Sequence, residues 1–512
     1  MVTLTIEGRE VIVAPGTSLL EAAKTVGVLV PHYCYHPSLP VAGVCRMCLV
    51  EVEKFPKLAP ACATTVGEGQ VVHVHSEKAR EARKGVLEFL LINHPLDCPI
   101  CDQAGECELQ DYTFAEGRKD SRYMEPKRFN PMEDFGGDVV YVPNRCILCT
   151  RCVRFMDVVA QDPVLCVAER GDRAYIGKFE GQDLTSPWAS NVVDLCPVGA
   201  LLSKDFLNKA RAWELDRAAS ICTGCSQGCN VMVETRDGVV VRIRPRPNAA
   251  VNQHFACEVG RMHYRWMNRR DRLEVPMVSD GQGLALATWD AALTAAASEI
   301  ASAGRVTVLA SPALPNEALF LLQRIGAHVG ASLVMTVPRG PEAPLPGVTD
   351  LALRAERAPN HTGAELLGFT DVSSPMAGLG ANDLVIVADA AVASVPAGVR
   401  VIVVGTVLDA TLAGATIVAL PVCNVAEEDG TFTNLRGRVQ RFLQAKAPPV
   451  QARPTYRVLG ALAEALGAGA YPPLAADVFA SLAAAVPAFA GLSYRGLGLQ
   501  GADVTLPAEA TT

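Results

Sequence analysis

RCILCTRCVR, residues 145–154, places Cys146, Cys149 and Cys152 at two-residue intervals. Tight C-x2-C steps let one loop supply neighbouring thiolate ligands to iron, while a distant cysteine completes the set. Cys196 is the candidate fourth ligand. It follows after 43 residues and stands before Pro197, and Cys196-Pro197-Val198-Gly199-Ala200 has the form that ends [4Fe–4S] ferredoxin motifs. Where two-cluster ferredoxins carry a further cysteine, this chain has Met156. Cys166 competes for the fourth place, but its apolar setting, Val164–Ala168, reads as that of a buried free thiol.

Outward from this stretch, fifteen of the seventeen cysteines and one histidine fall into four groups of four. Cys34, Cys45, Cys48 and Cys62 have the spacing C-x10-C-x2-C-x13-C. Their first gap is longer than in plant-type ferredoxins. It resembles the [2Fe–2S] domain of complex I, of NAD-reducing hydrogenases and of some formate dehydrogenases. In NHPLDCPICDQAGEC, residues 93–107, Cys98, Cys101 and Cys107 need a fourth donor, and His94 is the nearest suitable one. A neutral imidazole replacing a thiolate leaves a cluster one unit less negative. The competing reading makes His94 a helix C-terminal cap, with water or another group as fourth ligand. Cys222, Cys225, Cys229 and Cys257 follow C-x2-C-x3-C-x27-C, the spacing that opens many molybdopterin oxidoreductases. A structural zinc site is the alternative for the first and fourth groups. Cys166 and Cys423 are left over.

At 512 residues the chain requires several domains. Residues 1–76 alternate strand-like runs (Val2–Ile6, Arg9–Val13, Cys48–Val52, Val71–Val74) with one helical stretch, Ser18–Val26, which suggests a β-grasp ferredoxin. Residues 77–117 begin with a helix, Glu77–Ile92, ending at the His94–Pro95 step, and carry the group of one histidine and three cysteines. Glu125–Pro143 reads as irregular. Residues 137–212 form a [4Fe–4S] ferredoxin-like domain, and residues 218–273 a strand-rich domain around the fourth group. From about Val275 the composition shifts to Ala, Val, Leu and Gly. Over 274–470, helices at Trp289–Ala303 and Asn316–Gly330 alternate with strands at Val306–Ala310, Leu384–Val387, Val401–Val404 and Ile417–Leu420. That order predicts a parallel, doubly wound sheet. Residues 471–512, rich in Ala, Gly and Pro, read as a peripheral segment.

The net charge of −8 gives no support for nucleic-acid binding. The opening MVTLTIEGREV reads as a strand and not as an export signal, so a reducing compartment is expected and metal sites are favoured over disulfides. The longest apolar run, Leu384 to Gly405, is broken by Asp389, Pro396 and Arg400, so the chain is expected to be soluble and to meet a membrane only through partners. Several features are left outside the site. Gly496–Gly501 matches GxGxxG without the strand and helix a dinucleotide site requires. Arg261, Arg265, Arg269, Arg270 and Arg272 read as a solvated helix face or a subunit interface. His73 and His75 read as surface residues. Arg145, Arg151 and Arg154 flank the third group, either to stabilise a negative cluster or simply as exposed residues.

The order of the four motifs resembles the large iron–sulfur (G) subunit of bacterial NADH:quinone oxidoreductase, respiratory complex I, strongly over residues 1–275. A weaker likeness continues through Glu427–Asn434 and Gly437–Gln440, similar to the EGTFTN…GR-Q signature of molybdopterin-type domains, with Asp429 in place of its Glu. The resemblance implies a multidomain α+β and α/β chain: a β-grasp [2Fe–2S] ferredoxin, [4Fe–4S] segments, then a reduced molybdopterin-oxidoreductase-like α/β domain without molybdopterin. It implies one [2Fe–2S] cluster, three [4Fe–4S] clusters and no catalytic residue in this chain. The implied function is electron transfer from an NADH/FMN subunit to quinone-proximal iron–sulfur subunits, coupled to proton translocation by the whole complex. The implied place is the peripheral arm, on the cytoplasmic side of the inner (plasma) membrane. Rival readings are the large subunit of an NAD-linked molybdenum formate dehydrogenase, a hydrogenase diaphorase subunit, and a zinc-stabilised scaffold.

Overall fold

A computed structural model describes residues 1–505, and these divide into two compact units. One comprises residues 1–215 with 345–349, the other residues 216–344 and 350 onward.

The first unit opens with a five-stranded sheet. Val2–Ile6 pairs antiparallel with Arg9–Val13 and parallel with Val71–His73, and Leu49–Val52 joins the latter antiparallel. The Glu7-Gly8 turn has φ of 49° and 73°, the left-handed pair that matches the twist of a two-residue hairpin. Ser18 caps the helix Leu19–Thr25 by accepting the Glu21 N–H at 3.2 Å. That helix buries Leu19, Leu20, Ala22 and Ala23 against Leu4, Ile6, Val50 and Val72, which completes a β-grasp.

Ser76 caps the next helix, Glu77–Leu91. A short helical turn at Cys98–Ile100 follows, then a helix, Glu108–Glu116, that the sequence did not announce. Fully buried Arg83 ties the two helices together. It pairs with Glu116 at 2.9 Å and donates to the Val74 carbonyl at 2.9 Å. The stretch before the third group, expected to be irregular, contains two strands, Glu133–Gly136 and Val139–Tyr141, in a three-stranded sheet with Leu201–Ser203. Phe135, Val139 and Tyr141 are buried, so packing supplies the order that the flanking prolines obscure.

The second unit begins with an antiparallel sheet of Asp216–Ile221, Asn230–Arg236 and Val239–Pro245. Its main sheet has eight strands. Thr416–Pro421, Arg400–Gly405, Asp383–Ala388, Arg305–Ala310, Ser332–Met335 and Thr370–Asp371 run parallel, and Met277–Ser279 and Leu284–Leu286 form an antiparallel edge. Strand residues alternate between two cores, as the period of two requires. Leu384, Ile386, Ile402 and Val404 face the helices Trp289–Ala301, Asn316–Val329, Thr455–Leu466 and Ala475–Ala485. Val385, Val387, Val401 and Val403 face the other side, with Val392 and Leu412. Helical cover is therefore much heavier on one face than on the other.

Residues 471–505 are not peripheral. Val478, Phe479, Leu482, Phe489 and Leu497 lie in the main core, and Ala502–Asp503 pairs with Arg438–Phe442. Spacing on one helical face decides this burial, and an Ala-rich composition hides it. The last part of that expected segment, residues 506–512, lies outside the described residues. Among the described residues no helix is long and apolar enough to cross a membrane.

Candidate iron–sulfur sites

The first group sits in the loop of the β-grasp. Leu49 pairs with Pro60 and the Ala61 N–H reaches the Cys48 carbonyl at 2.9 Å, which brings Cys48 and Cys62 to one end of the sheet. Cys34 meets Cys45 and Cys62 through sulfur, and Cys62 meets Cys48. The Cys34 N–H lies 3.4 Å from the Cys45 sulfur.

In the second group, Cys98 opens the short turn and Cys107 is the residue before helix Glu108–Glu116. His94 stands beyond Leu91, where the helix ends. The helix-cap role falls to Lys127, whose Nζ donates to the carbonyls of Leu91 and Ile92 at 2.8 and 2.9 Å. His94 Nδ1 is buried without a hydrogen-bond partner, and burial, with the nearby Lys127 and Arg145 charges, pushes the imidazole down to about 4. It is neutral at physiological pH, the state a ligand requires. Arg145 neighbours both His94 and Cys101 and is anchored to Asp97 Oδ2 at 3.0 and 2.9 Å.

All four cysteines of the third group line one small cavity, together with Tyr141 and Arg151. Leu148 and Thr150 adopt left-handed φ of 53° and 60°, which bends the loop around the cavity and sets the Leu148 N–H 3.4 Å from the Cys146 sulfur. Cys196 follows helix Asn191–Leu195. Cys166 sits on strand Leu165–Ala168 and does not line the cavity, so the structure gathers Cys196 with the other three.

In the fourth group, Cys222 and Cys229 bracket the connection between two strands and are joined by a backbone bond at 2.8 Å. Cys257 caps helix Glu258–Met262 through its sulfur, which accepts the Gly260 N–H at 3.4 Å. A Cβ at Gly260 would stand 2.8 Å from the Cys222 sulfur, so only glycine lets the two segments approach this closely. Burial pushes the thiols of Cys107, Cys146 and Cys257 each up to about 11. They become thiolates where a cation compensates the buried charge.

Groups one to three share one folded unit. A Cβ at Gly199 would lie 2.3 Å from the Cys101 sulfur, and the Glu108 N–H bonds the Pro197 carbonyl at 3.0 Å. The second and third motifs therefore pack directly on each other. Arg145 and Arg151 are buried, which removes the exposed reading of these arginines. Arg261 is buried and the side chain of Arg272 is enclosed, which departs from a solvated face at these two positions, whereas Arg265, Arg269 and Arg270 are exposed. Arg272 makes a two-pronged pair with Glu427 at 2.8 and 2.9 Å.

The EGTFTN-like signature also has a structural part. Asn316 Nδ2 donates to the hydroxyls of Thr431 and Thr433 at 3.0 Å each, the Leu435 N–H bonds the Ser226 carbonyl at 2.9 Å, and Gln440 Nε2 the Gly228 carbonyl at 2.9 Å. It clamps the loop between Cys225 and Cys229. Among the described residues no three His, Cys, Asp or Glu side chains gather tightly enough to hold a single metal ion. The donor sets fit the broader iron–sulfur clusters by their chemistry: thiolates around a cavity, sulfurs receiving N–H groups, and one buried, unpartnered imidazole nitrogen.

These folds and donor sets define a multi-cluster iron–sulfur protein joined to a molybdopterin-oxidoreductase-type α/β unit. Family models match in the same order: the 2Fe-2S iron–sulfur cluster binding domain over 1–77, the NADH-ubiquinone oxidoreductase-G iron–sulfur binding region over 83–122, and the NADH-quinone oxidoreductase subunit 3 ferredoxin-like domain over 136–202. The molybdopterin oxidoreductase Fe4S4 domain follows over 216–269 and molybdopterin oxidoreductase over 378–465. The NADH-quinone oxidoreductase G subunit of Rickettsia bellii is 40% identical over 334 residues, covering 65% of this chain and 49% of that protein. The mitochondrial NADH-ubiquinone oxidoreductase 78 kDa subunit of Candida albicans is 41% identical over 341 residues, covering 65% and 47%. A chain in the crystal structure of NAD+-reducing [NiFe]-hydrogenase in the H2-reduced state is 28% identical, with a TM-score of 0.36, covering 41% of this chain and 90% of that one. Over the region shared with its relatives, the chain is similar to the large iron–sulfur (G) subunit of NADH:quinone oxidoreductase. It spans about half the length of the curated relatives it matches.

Proposed function

We propose that this chain is the electron-transferring iron–sulfur subunit of an NADH:quinone oxidoreductase of the complex I type. In this reading it receives electrons from an NADH/FMN subunit and delivers them to quinone-proximal iron–sulfur subunits, while the whole complex translocates protons. Its place is the peripheral arm, on the cytoplasmic side of the inner membrane. The ligands are Cys34, Cys45, Cys48 and Cys62 for one [2Fe–2S] cluster. Three [4Fe–4S] clusters take His94, Cys98, Cys101 and Cys107; Cys146, Cys149, Cys152 and Cys196; and Cys222, Cys225, Cys229 and Cys257. The functional boundaries follow the segments 1–76, 77–117, 137–212, 218–273 and 274–470.

The carrying observation is the direct packing of the second motif on the third, Cys101 against Gly199. Bound clusters exchange single electrons without making or breaking substrate bonds. The protein's part is to hold thiolates at fixed positions, keep water from the buried cysteines and aim N–H groups at sulfur, as Leu148, Gly224 and Gly260 do. Those N–H groups favour added negative charge at each site.

Iron, acid-labile sulfide, zinc and molybdenum per chain, measured on anaerobically prepared protein, test this reading. The expected result is about 14 irons with matching sulfide and no molybdenum. Stoichiometric molybdenum would favour the formate dehydrogenase reading, and zinc with little iron would end the electron-transfer reading.

A further inference from the structure

Arg151 lies between two cysteines of the third group, and its guanidinium reaches the segments of all three groups in its unit. Nη2 donates to the carbonyl of Tyr35, the residue after Cys34, at 2.9 Å. Nη1 donates to the carbonyl of Leu195, the residue before Cys196, at 3.2 Å. Both terminal nitrogens meet the carboxylate of Glu108, the residue after Cys107, at 3.2 and 3.4 Å. The residue is 4% exposed and lines the cavity bounded by Cys146, Cys149, Cys152 and Cys196. Its Nε is buried with no acceptor in the protein. A buried guanidinium N–H without a partner costs free energy unless something accepts it. A [4Fe–4S] cluster in that cavity would be an anionic, sulfur-rich acceptor.

We propose that Arg151 is a positioning residue that donates its Nε–H to the sulfur of the cluster held by the third group, while its terminal nitrogens lock the first and second cysteine segments onto the same site. The proposal rests on the third group holding a [4Fe–4S] cluster. One cation would thus set the geometry of three sites and the potential of one. A fixed positive charge beside an anionic cluster favours the reduced form, so its removal moves the midpoint to more negative values.

The test uses the intact holo-complex with only arginine labelled with 15N, read by pulsed EPR on the reduced third cluster, whose signal is identified by its loss in Cys146→Ser. The expected result is a 15N coupling on that signal in the wild type, absent in Arg151→Lys and Arg151→Gln. The midpoint should fall in Arg151→Gln by more than in Arg151→Lys, which keeps the charge. A tenfold change in the reduced-to-oxidised ratio corresponds to about 59 mV for one electron. A wild-type cluster signal without arginine coupling, or a coupling and midpoint unchanged in Arg151→Gln, overturns the proposal. Because the wild-type measurement needs no variant of Arg151, a misfolded variant cannot obscure the answer. Absence of any signal that depends on Cys146 would instead overturn the reading of the third group itself.

Discussion

Gly199→Ala should damage two iron–sulfur sites at once, although Gly199 is a ligand in neither. The added methyl would stand 2.3 Å from the Cys101 sulfur and 3.1 Å from Gln103 Cβ, where ordinary contact begins at 3.4 Å. Relief therefore requires about 1.1 Å of movement, supplied either by the Cys101 side chain or by the 196–200 backbone. The backbone is pinned by Glu108 N–H to Pro197, Val142 N–H to Ala200 and the pairing of Leu201 with Tyr141. Rotating Cys101 takes its sulfur away from the second site, and shifting the loop takes Cys196 from the third. Overpacking of this kind costs about 1–3 kcal/mol. Gly85→Ala is the control: it sits in helix Glu77–Leu91 with nothing within 4 Å of the new methyl, so it should add about 0.5–1 kcal/mol of stability. The assay is denaturant unfolding of purified holo-protein, with iron and sulfide content and the EPR signals of both sites. Native cluster content and unchanged stability in Gly199→Ala would refute the claim that the two motifs are in contact.

Three further outcomes follow from the same geometry. Burial pushes the carboxyl of Glu317 from its ordinary 4.5 up to about 7, despite donors from Tyr494 at 2.7 Å and Thr431 at 2.9 and 3.0 Å. Its stabilising contribution is therefore full below pH 4.5 and is lost as pH rises through 7, a change of roughly 3 kcal/mol. Unfolding midpoints at pH 5 and pH 8 should differ less in Glu317→Gln than in the wild type, and an identical difference would reject this account. Glu427→Gln leaves buried Arg272 without its full counter-charge and should cost about 3–5 kcal/mol, read as a fall in the unfolding midpoint. His94→Cys should retain the second cluster and move its midpoint to more negative values, because a thiolate adds one negative charge; an unmoved midpoint in EPR redox titration would remove His94 from the ligand set.

Spacing made much of the site legible before any folding was considered. Ligand cysteines must reach one cluster from short loops, so C-x2-C steps survive as linear patterns. The strands Val2–Ile6 and Arg9–Val13 and the helix Glu77–Leu91 were equally plain, because each shows its own periodicity and its own cap or turn. Helix Glu108–Glu116 was not, since it begins directly at a candidate ligand and has almost no apolar face. The burial of Arg151 was also out of reach. Its position inside CTRC was visible, but whether it was buried depended on carbonyls supplied from Tyr35 and Leu195.

The amino-acid order by itself pointed to the chemistry: which side chains are candidates to bind iron, in what groups, and in which modules. Those properties are local, set by residue type and by separations of a few positions. The sequence favoured Cys196 over Cys166 and the structure places it at the third cavity, but only the tertiary structure decided that Lys127 and not His94 caps the helix and that Gly199 lets two motifs touch. Each of these depends on segments brought together by burial of apolar surface and by the need to satisfy buried polar groups, and neither requirement is written at any one position of the chain.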